Sequence, residues 1–430
     1  MHVDPKLGAP QRIAIVGGGI AGLSAAWALS PHHHVTLYEA ETRLGGHART
    51  VMAGRRGDQP VDTGFIVFNH ATYPQLTALF RDLDVPVEKS DMSFGVSLDN
   101  GRLEYALRSA DAMFGQRSNI LSPGFHRMIR DILRFNSEAV PALERAGDVT
   151  IEALVSSLGL GERFRDHYLF PLCGAIWSTP AERIGSFPAR ALLRFMQNHA
   201  LMSTRGQHQW WTVSGGSISY VERLAMALRH QGADLRTGAP VQLVTRVDGG
   251  VLLTAKGSTP ERYDHIVLAG HADQSLALLA DASEAERAAL GAIRFQPNRA
   301  TLHRDPSVMP DRRRCWSSWV YRASPGTPSD RTVGVTYWMN RLQNTPQDDP
   351  LFVTLNADRP IPQEAIYDEV VFHHPMFDHQ ALAAQETIAA MQGLNRTWFV
   401  GAWLRNGFHE DGIESAMRVA RGLVPQRVAA

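Results

Sequence analysis

Gly17-Gly18-Gly19-Ile20-Ala21-Gly22 follows the apolar run Ile13-Ala14-Ile15-Val16 and opens a stretch of small residues, Ala21, Ala25, Ala26 and Ala28. Those residue types at that spacing can bind a diphosphate. Gly17 permits a sharp strand-to-helix turn, Gly19 lets backbone N–H groups approach phosphate oxygens, and Gly22 lets the helix pack close to its sheet. The helix N-terminus adds partial positive charge. Glu39 ends a second predicted strand 22 residues after Gly17, where a carboxylate can accept hydrogen bonds from both hydroxyls of a ribose. Strand, glycines, helix, strand and acid fall in register and define a dinucleotide-binding βαβ unit, which an isolated glycine-rich turn would not.

A second glycine pair, Gly45-Gly46, lies between Arg43 and His47, and Val61-Asp62-Thr63-Gly64-Phe65 follows. A nicotinamide domain needs no second clamp on the diphosphate. This pair of segments resembles the flavin-dependent amine oxidoreductase superfamily, which includes monoamine and polyamine oxidases, protoporphyrinogen oxidase and phytoene desaturases. Residues 62–69, with Tyr73-Pro74 and residues 90–94, resemble a narrower bacterial subfamily of NAD/FAD-binding oxidoreductases. Some of its members are associated with methylated or cyclopropanated membrane fatty acids. The resemblance extends over nearly the whole chain, through Ile176-Trp177-Ser178-Thr179-Pro180, Gln296-Pro297-Asn298-Arg299 and Gly407-Phe408-His409-Glu410-Asp411-Gly412.

The resemblance implies an α/β fold in which a Rossmann-like FAD-binding domain of the amine oxidase type is interleaved with an α+β substrate domain. The flavin domain would combine residues 1–70, 213–282 and 393–430, and the substrate domain residues 71–212 and 283–392. Local patterns agree. Residues 220–228 have helical spacing, 243–254 read as a hairpin and 264–269 as a buried parallel strand. The first insertion is helical at 121–135 and 151–158, with Pro123, Pro141 and Pro171 as breakers; the second carries strand-like runs at 299–303, 316–321, 332–339 and 351–356, which predict an antiparallel sheet. A last helix is predicted from about Gly412 to Leu423.

The cofactor implied is non-covalent FAD, since no cysteine lies in the last block to form a thioether. Its contacts fall on Gly17, Gly19, Ile20, Ala21, Gly22, Glu39 and Ala40. The second clamp adds Arg43, Gly45, Gly46, His47, Thr63, Gly64, Phe65 and Ile66. Val241 matches a backbone contact to the adenine, and Ala269 joins the set from the strand beside it. Gly401, Trp403, Gly412 and Ile413 would bring a helix N-terminus under the flavin pyrimidine ring, where it favours reduction.

Two departures from the superfamily bear on the substrate. Ile413 stands where amine oxidases present an aromatic ring to the substrate amine, and no lysine follows Lys256 to hold a water near the flavin. Both weigh against amine oxidation. Phe65, Tyr337, Trp338, Trp403 and Phe408 are candidate walls of an apolar site or, equally, core aromatics. His409, Glu410, Tyr337 and Asn340 are the catalytic candidates, with Asn69 a further polar neighbour. His409 with Glu410 either supplies a general base or caps the last helix and bonds the ribityl chain. The reading is an FAD-dependent oxidoreductase that desaturates a methylated or otherwise modified fatty acyl chain, carried on a phospholipid, with molecular oxygen or another electron acceptor. The alternatives are a flavin amine oxidase, a redox-neutral fatty-acid isomerase and a non-enzymatic flavin-bound lipid carrier.

Composition sets the remaining bounds. The 430 residues are 44% hydrophobic, enough for two packed domains, and the formal net charge is zero, so no global field draws the chain to nucleic acid. Cys173 and Cys315 make no disulfide framework. The side chains of His32-His33-His34 diverge and have no further ligand at metal spacing, so no metal is expected. Residues 1–11 hold no apolar signal segment and no window is long enough to span a bilayer, which predicts a cytoplasmic protein. Residues 121–135 combine Arg127, Arg130 and Arg134 with a long apolar face, a pattern of either a surface helix or a peripheral contact with the inner face of a membrane. Nothing in the composition sets an oligomeric state.

Overall fold

A computed structural model describes residues 9–177, 184–198, 201–202, 208–324 and 334–424. Residues 178–180 of the segment beginning at Ile176 lie outside them. A five-stranded parallel sheet gathers strands from three distant parts of the chain, in the order Asp234–Arg236, His34–Tyr38, Arg12–Val16, His265–Leu268 and Thr397–Phe399. Its central strands are apolar on both faces because both faces are covered. Ile13, Ile15, Val35, Leu37 and Val267 pack under the helices Ile20–Leu29, Ile218–His230 and His409–Leu423. Ala14, Tyr38, Ile266 and Leu268 face the opposite way, onto the three-stranded meander Val241–Val247, Gly250–Ala255 and Glu261–Tyr263 and the helices Glu284–Ala292 and His379–Met391.

A second, seven-stranded sheet runs Ile366–Pro375, Phe295–His303, Phe352–Leu355, Gly334–Trp338, Trp319–Ala323, Phe94–Leu98 and Leu103–Ala106. All of its pairings are antiparallel except that of Trp319–Ala323 with Phe94–Leu98. The sheet is therefore mixed, and it recruits two strands from the first insertion, which sequence periodicity reads as helical. The strand Ile366–Pro375 was not anticipated either, because it alternates only weakly and lies at the sheet edge. Phe68–Asn69, Trp210–Val213 and Val87–Ser90 form a small third sheet that places Trp210.

None of the three expected breakers interrupts a helix. Pro123 starts the helix Pro123–Ala146, as its fixed φ favours. Pro141 lies within the same helix on its exposed side, where solvent can serve the carbonyl that loses its partner. Pro171 enters the helix Phe170–Trp177 just after a π-helical turn, Arg165–Leu169, that absorbs the misfit. The last helix starts at His409, three residues earlier than expected, because Asp411 accepts the Phe408 N–H at 2.9 Å and closes its cap.

Candidate active site

The first turn of the βαβ unit is built around space. Gly17 has φ +115°, and a Cβ there would stand 3.0 Å from the Ala269 carbonyl carbon, while one at Gly22 would stand 1.9 Å from the Gly17 oxygen. Those two glycines are needed by the fold. Gly19, which precedes the helix Ile20–Leu29, differs: a Cβ there meets nothing nearer than the Gly46 Cα at 4.0 Å. Its glycine leaves open a volume that no protein atom claims, directly before the N–H groups of a helix N-terminus.

The second pair closes on the first. Gly45 donates its N–H to the Gly18 carbonyl at 2.8 Å, and a Cβ on Gly46, at φ +55°, would lie 3.1 Å from the Gly19 Cα. Arg43 holds this loop by donating to the Gly46 carbonyl at 2.9 Å. Glu39, followed by the exposed Ala40, takes the Gly18 N–H on one carboxylate oxygen at 2.6 Å and the Glu41 N–H on the other at 2.8 Å. Ala239 donates to the Glu39 carbonyl at 2.9 Å, which brings the segment leading to Val241 alongside.

From there the chain passes to a third strip. Phe65 donates its N–H to the His47 carbonyl at 2.9 Å, Thr63 donates to Arg49, and a Cβ on Gly64 would stand 2.1 Å from the His47 oxygen. Ile66 is buried behind this strip. The His47 ring stacks on Phe372 at 4.8 Å and lies 5.6 Å from His374 and 6.2 Å from His271. Burial, then the neighbouring His374 and His271, hold the His47 imidazole well below its ordinary pKa, and burial brings His374 down to about 4. These histidines are neutral at neutral pH.

The C-terminal helix completes the arrangement. A Cβ on Gly412 would stand 3.0 Å from Ile20, so the starts of the helices His409–Leu423 and Ile20–Leu29 lie together. Ile413 is buried in the same cluster. Gly401 donates to Ser415 at 2.9 Å, and Trp403 donates its indole N–H to the Gly270 carbonyl at 3.0 Å from a site 3% exposed. Trp403 is a core residue and no chamber wall. The His409 ring stacks on Phe65 at 3.8 Å and 15°, and its Nε2 lies 3.1 Å from the Tyr220 hydroxyl. Burial lowers its pKa to about 3.

Three expected catalytic groups change role. Glu410 accepts the Gln75 and Leu76 N–H groups at 2.9 and 3.0 Å, capping the helix Pro74–Asp82. Asn340 is saturated by Trp338 Nε1, Thr345, the Pro346 and Asp349 carbonyls and the Leu351 N–H, all within its own turn. His409 is too weak a base to be protonated at neutral pH. None of the three is free to act as a general base, because each is consumed by packing or hydrogen bonds. Asn69 likewise accepts from the Ala71 and Thr72 N–H groups and the Thr72 hydroxyl.

Of the aromatic candidates, Phe65, Tyr337 and Phe408 remain half-open, whereas Trp338 points to the other face of its sheet among Trp316 and Phe352. Two further aromatics join the first three. Trp210, Trp319, Tyr337 and Phe408 each pack on two different apolar clusters, and Trp319 meets Tyr337 edge-to-face at 5.0 Å. Phe408 also stacks on Phe195 at 5.1 Å. Half-open aromatics thus stand where the apolar clusters meet, with Phe65 stacked on His409 beside them. Trp210, Trp319, Phe195 and Tyr220 escape sequence reasoning: they come from separate segments, and a half-open aromatic has the same sequence pattern as a core one. The adjacent Trp210-Trp211 pair, just ahead of the strand end at Val213, was the one local signal.

Fold and glycine geometry together define a βαβ unit of the dinucleotide-binding type, with a second glycine loop closed on the first. Residues 20–303 match the model of the flavin containing amine oxidoreductase family, and the chain belongs to that family. Polyamine oxidase 5 of Oryza sativa subsp. japonica is 27% identical over 141 residues, 32% of this chain and 28% of its own length. The chain thus matches under a third of that relative. A fatty acid isomerase from P. acnes, described as producing CLA, is similar in fold with a TM-score of 0.67 and 17% identity, over 96% of this chain and 98% of that one. Cyclohexylamine oxidase from Brevibacterium oxydans has a TM-score of 0.67 and 16% identity, over 96% and 99%. The family's cofactor is FAD, and the open volume at Gly19, ahead of the N-terminus of the helix Ile20–Leu29 and facing the second glycine pair, fits its diphosphate.

Two consequences can be measured. The folded-state pKa of His409 lies below the value of about 6.5 that it has unfolded, so its share of stability is complete above pH 6.5 and is lost as pH falls towards 3. Asp62 and Asp411, pushed up to about 6 by burial, act oppositely, gaining stability as pH falls through 6. A comparison of wild type with His409→Phe, which keeps the stack on Phe65, isolates the histidine. The variant's thermal midpoint should fall less between pH 7 and pH 4.5 (roughly the titration window of histidine) than that of wild type; parallel curves would refute the assignment. For Glu410→Gln, one cap bond is lost, and a stability loss of about 1 kcal/mol with turnover kept within a few-fold is expected. Abolished turnover in a fully folded Glu410→Gln protein would restore Glu410 as a catalytic group.

Proposed function

We propose that the chain is an FAD-dependent oxidoreductase that desaturates an apolar substrate, a methylated or otherwise modified fatty acyl chain carried on a phospholipid. The observation that carries this reading is that the half-open aromatics where the clusters meet, which we take as the walls of a substrate chamber, are themselves uncharged among the described residues. Its described walls are Phe65, Trp210, Trp319, Tyr337 and Phe408, its nearest imidazole is neutral, and the carboxylate of Glu410 is turned away to cap a helix. A protonated amine would leave water there without a counter-charge, which costs several kcal/mol. An acyl chain loses nothing on entry and gains about 0.8 kcal/mol per buried methylene.

We assign the diphosphate to Gly17, Gly19, Ile20, Ala21 and Gly22 with Gly45 and Gly46, the ribose to Glu39 and Ala40, and the adenine side to Val241 and Ala269. Arg43 positions the second loop, while His47, Thr63, Gly64 and Ile66 shape its far side. Gly401, Trp403, Gly412 and Ile413 support the start of the last helix. FAD held there would supply an acceptor for a hydride from a substrate C–H, with molecular oxygen or another acceptor taking the electrons. Phe65, fixed between His409 and Tyr220, presents one face to the substrate. Burial raises the Tyr337 pKa, so its phenol stays protonated and can donate a hydrogen bond to an ester or acid oxygen. The proton from the neighbouring carbon leaves to water, since no described side chain of the chamber is a competent base.

The test is anaerobic titration of the holoprotein with phospholipids bearing methyl-branched or cyclopropane chains and, separately, with primary, secondary and polyamines. Bleaching of the flavin absorbance by the lipids alone is expected. Bleaching by amines alone overturns the reading.

A further inference from the structure

Leu121 is 86% exposed, more than any other large apolar side chain among the described residues, and Ile120 beside it is 48% exposed. This turn is held in place: His126 Nε2 lies 2.7 Å from the Ile120 carbonyl, and Ser122 caps the following helix by accepting the Phe125 N–H at 3.3 Å. The apolar pair is therefore presented by ordered backbone. The helix Pro123–Ala146 then buries Phe125, Met128, Ile132 and Phe135 inward and leaves Arg127, Arg130, Leu133 and Arg134 outward, with Leu133 53% exposed.

The charge on that outer face is mainly cationic. Asp131, the one carboxylate in the first half of the helix, is buried, accepts the Gly161 N–H at 3.1 Å and lies 3.8 Å from Arg127, and further along Glu138 pairs with Arg134 at 3.0 Å on the exposed side, a contact of the kind that contributes little in water. Arg130 makes no ion pair among the described residues, and Arg163 lies over the helix start, its guanidinium 2.8 Å from where a Gly124 Cβ would stand. Exposed leucine and isoleucine ringed by arginines match two chemistries stacked in depth, phosphate above hydrocarbon.

We infer that the protein docks on an anionic phospholipid bilayer through Ile120, Leu121 and the arginine face that follows them. The apolar turn enters the acyl boundary, while Arg127, Arg130 and Arg134 meet lipid phosphates. This gives the lipid reading of the active site its route to substrate, and its purpose rests on that reading; the docking itself needs no turnover.

The test is flotation of the holoprotein with phosphatidylcholine vesicles, with and without phosphatidylglycerol. Capture by the anionic vesicles at low salt and release at high salt are expected, with binding at least ~10-fold weaker for Leu121→Glu and for Arg130→Glu/Arg134→Glu. Both variants should keep the wild-type flavin spectrum and thermal midpoint. Equal capture by neutral vesicles, or unaltered binding by both variants, overturns the inference. So does self-association that Leu121→Glu abolishes in a protein that no vesicle captures, which would give the surface to a second copy. Vesicle binding by a protein whose flavin only amines bleach would leave the docking surface standing and remove the lipid substrate.

Discussion

Gly19→Val is expected to give a folded protein that purifies without colour. A side chain at this position enters a volume bounded only by the Gly46 Cα, 4.0 Å from the added Cβ, and the backbone there has φ −78°, which valine can adopt. The fold has no reason to resist the change. The same volume is where the diphosphate must approach the helix N-terminus, so FAD affinity should fall at least ~100-fold, roughly 2.8 kcal/mol. Gly22→Val is the control with the opposite outcome, because its Cβ would stand 1.9 Å from the Gly17 oxygen and the helix could not pack. The ratio of flavin to protein absorbance, read beside the thermal midpoint of the apoprotein, separates the two. A yellow Gly19→Val protein with full FAD content would remove the diphosphate from this loop.

Asp62→Ala should be the most damaging change outside the glycine loops. The carboxylate is buried, accepts the Thr50 hydroxyl at 2.6 Å, the Ser217 hydroxyl at 2.7 Å and the Ser217 N–H at 2.9 Å, and takes the Gln343 side-chain N–H at 2.8 Å. One side chain thereby ties the first segment of the parallel-sheet region to the start of the helix Ile218–His230 and to the turn after the strand Gly334–Trp338. Removing it leaves several buried donors without acceptors, a loss of about 3–5 kcal/mol. Asp62→Asn keeps an acceptor for Ser217 but sets an amide N–H against that of Gln343, so about half that loss is expected. Chemical denaturation of the three proteins orders them, and equal stability of Asp62→Ala and wild type would contradict the role of this joint.

How much of this could be read beforehand differs between cradle and chamber. Gly17, Gly19, Gly22 and Glu39 were legible because each answers a local demand, a turn, an approach or an acid at a strand end, within one short segment. The parallel strand His265–Leu268 was legible from uniform apolar character, the mark of a sheet covered on both faces. Phe94–Leu98 was not, since its burial comes from pairing with Trp319–Ala323, some two hundred residues away in sequence. The catalytic candidates fared worst for the same reason. Glu410 reads as a base next to His409, and only the distant helix Pro74–Asp82 reveals what its carboxylate is for. Asn340, by contrast, is consumed by neighbours within eleven residues, and the spacing of Thr345, Pro346 and Asp349 gives no sign of it.

What enters the aromatic chamber decides the reaction, and the mass of the product reads that directly. Holoprotein at known FAD content is incubated without oxygen with a total bacterial phospholipid extract spiked with polyamines, and both pools are weighed by mass spectrometry. One acyl chain lighter by two hydrogens for each FAD bleached, with the amines intact, is the predicted result. Lipids of unchanged mass alongside consumed amine, or acyl chains isomerised at constant mass with no flavin bleached, would contradict it.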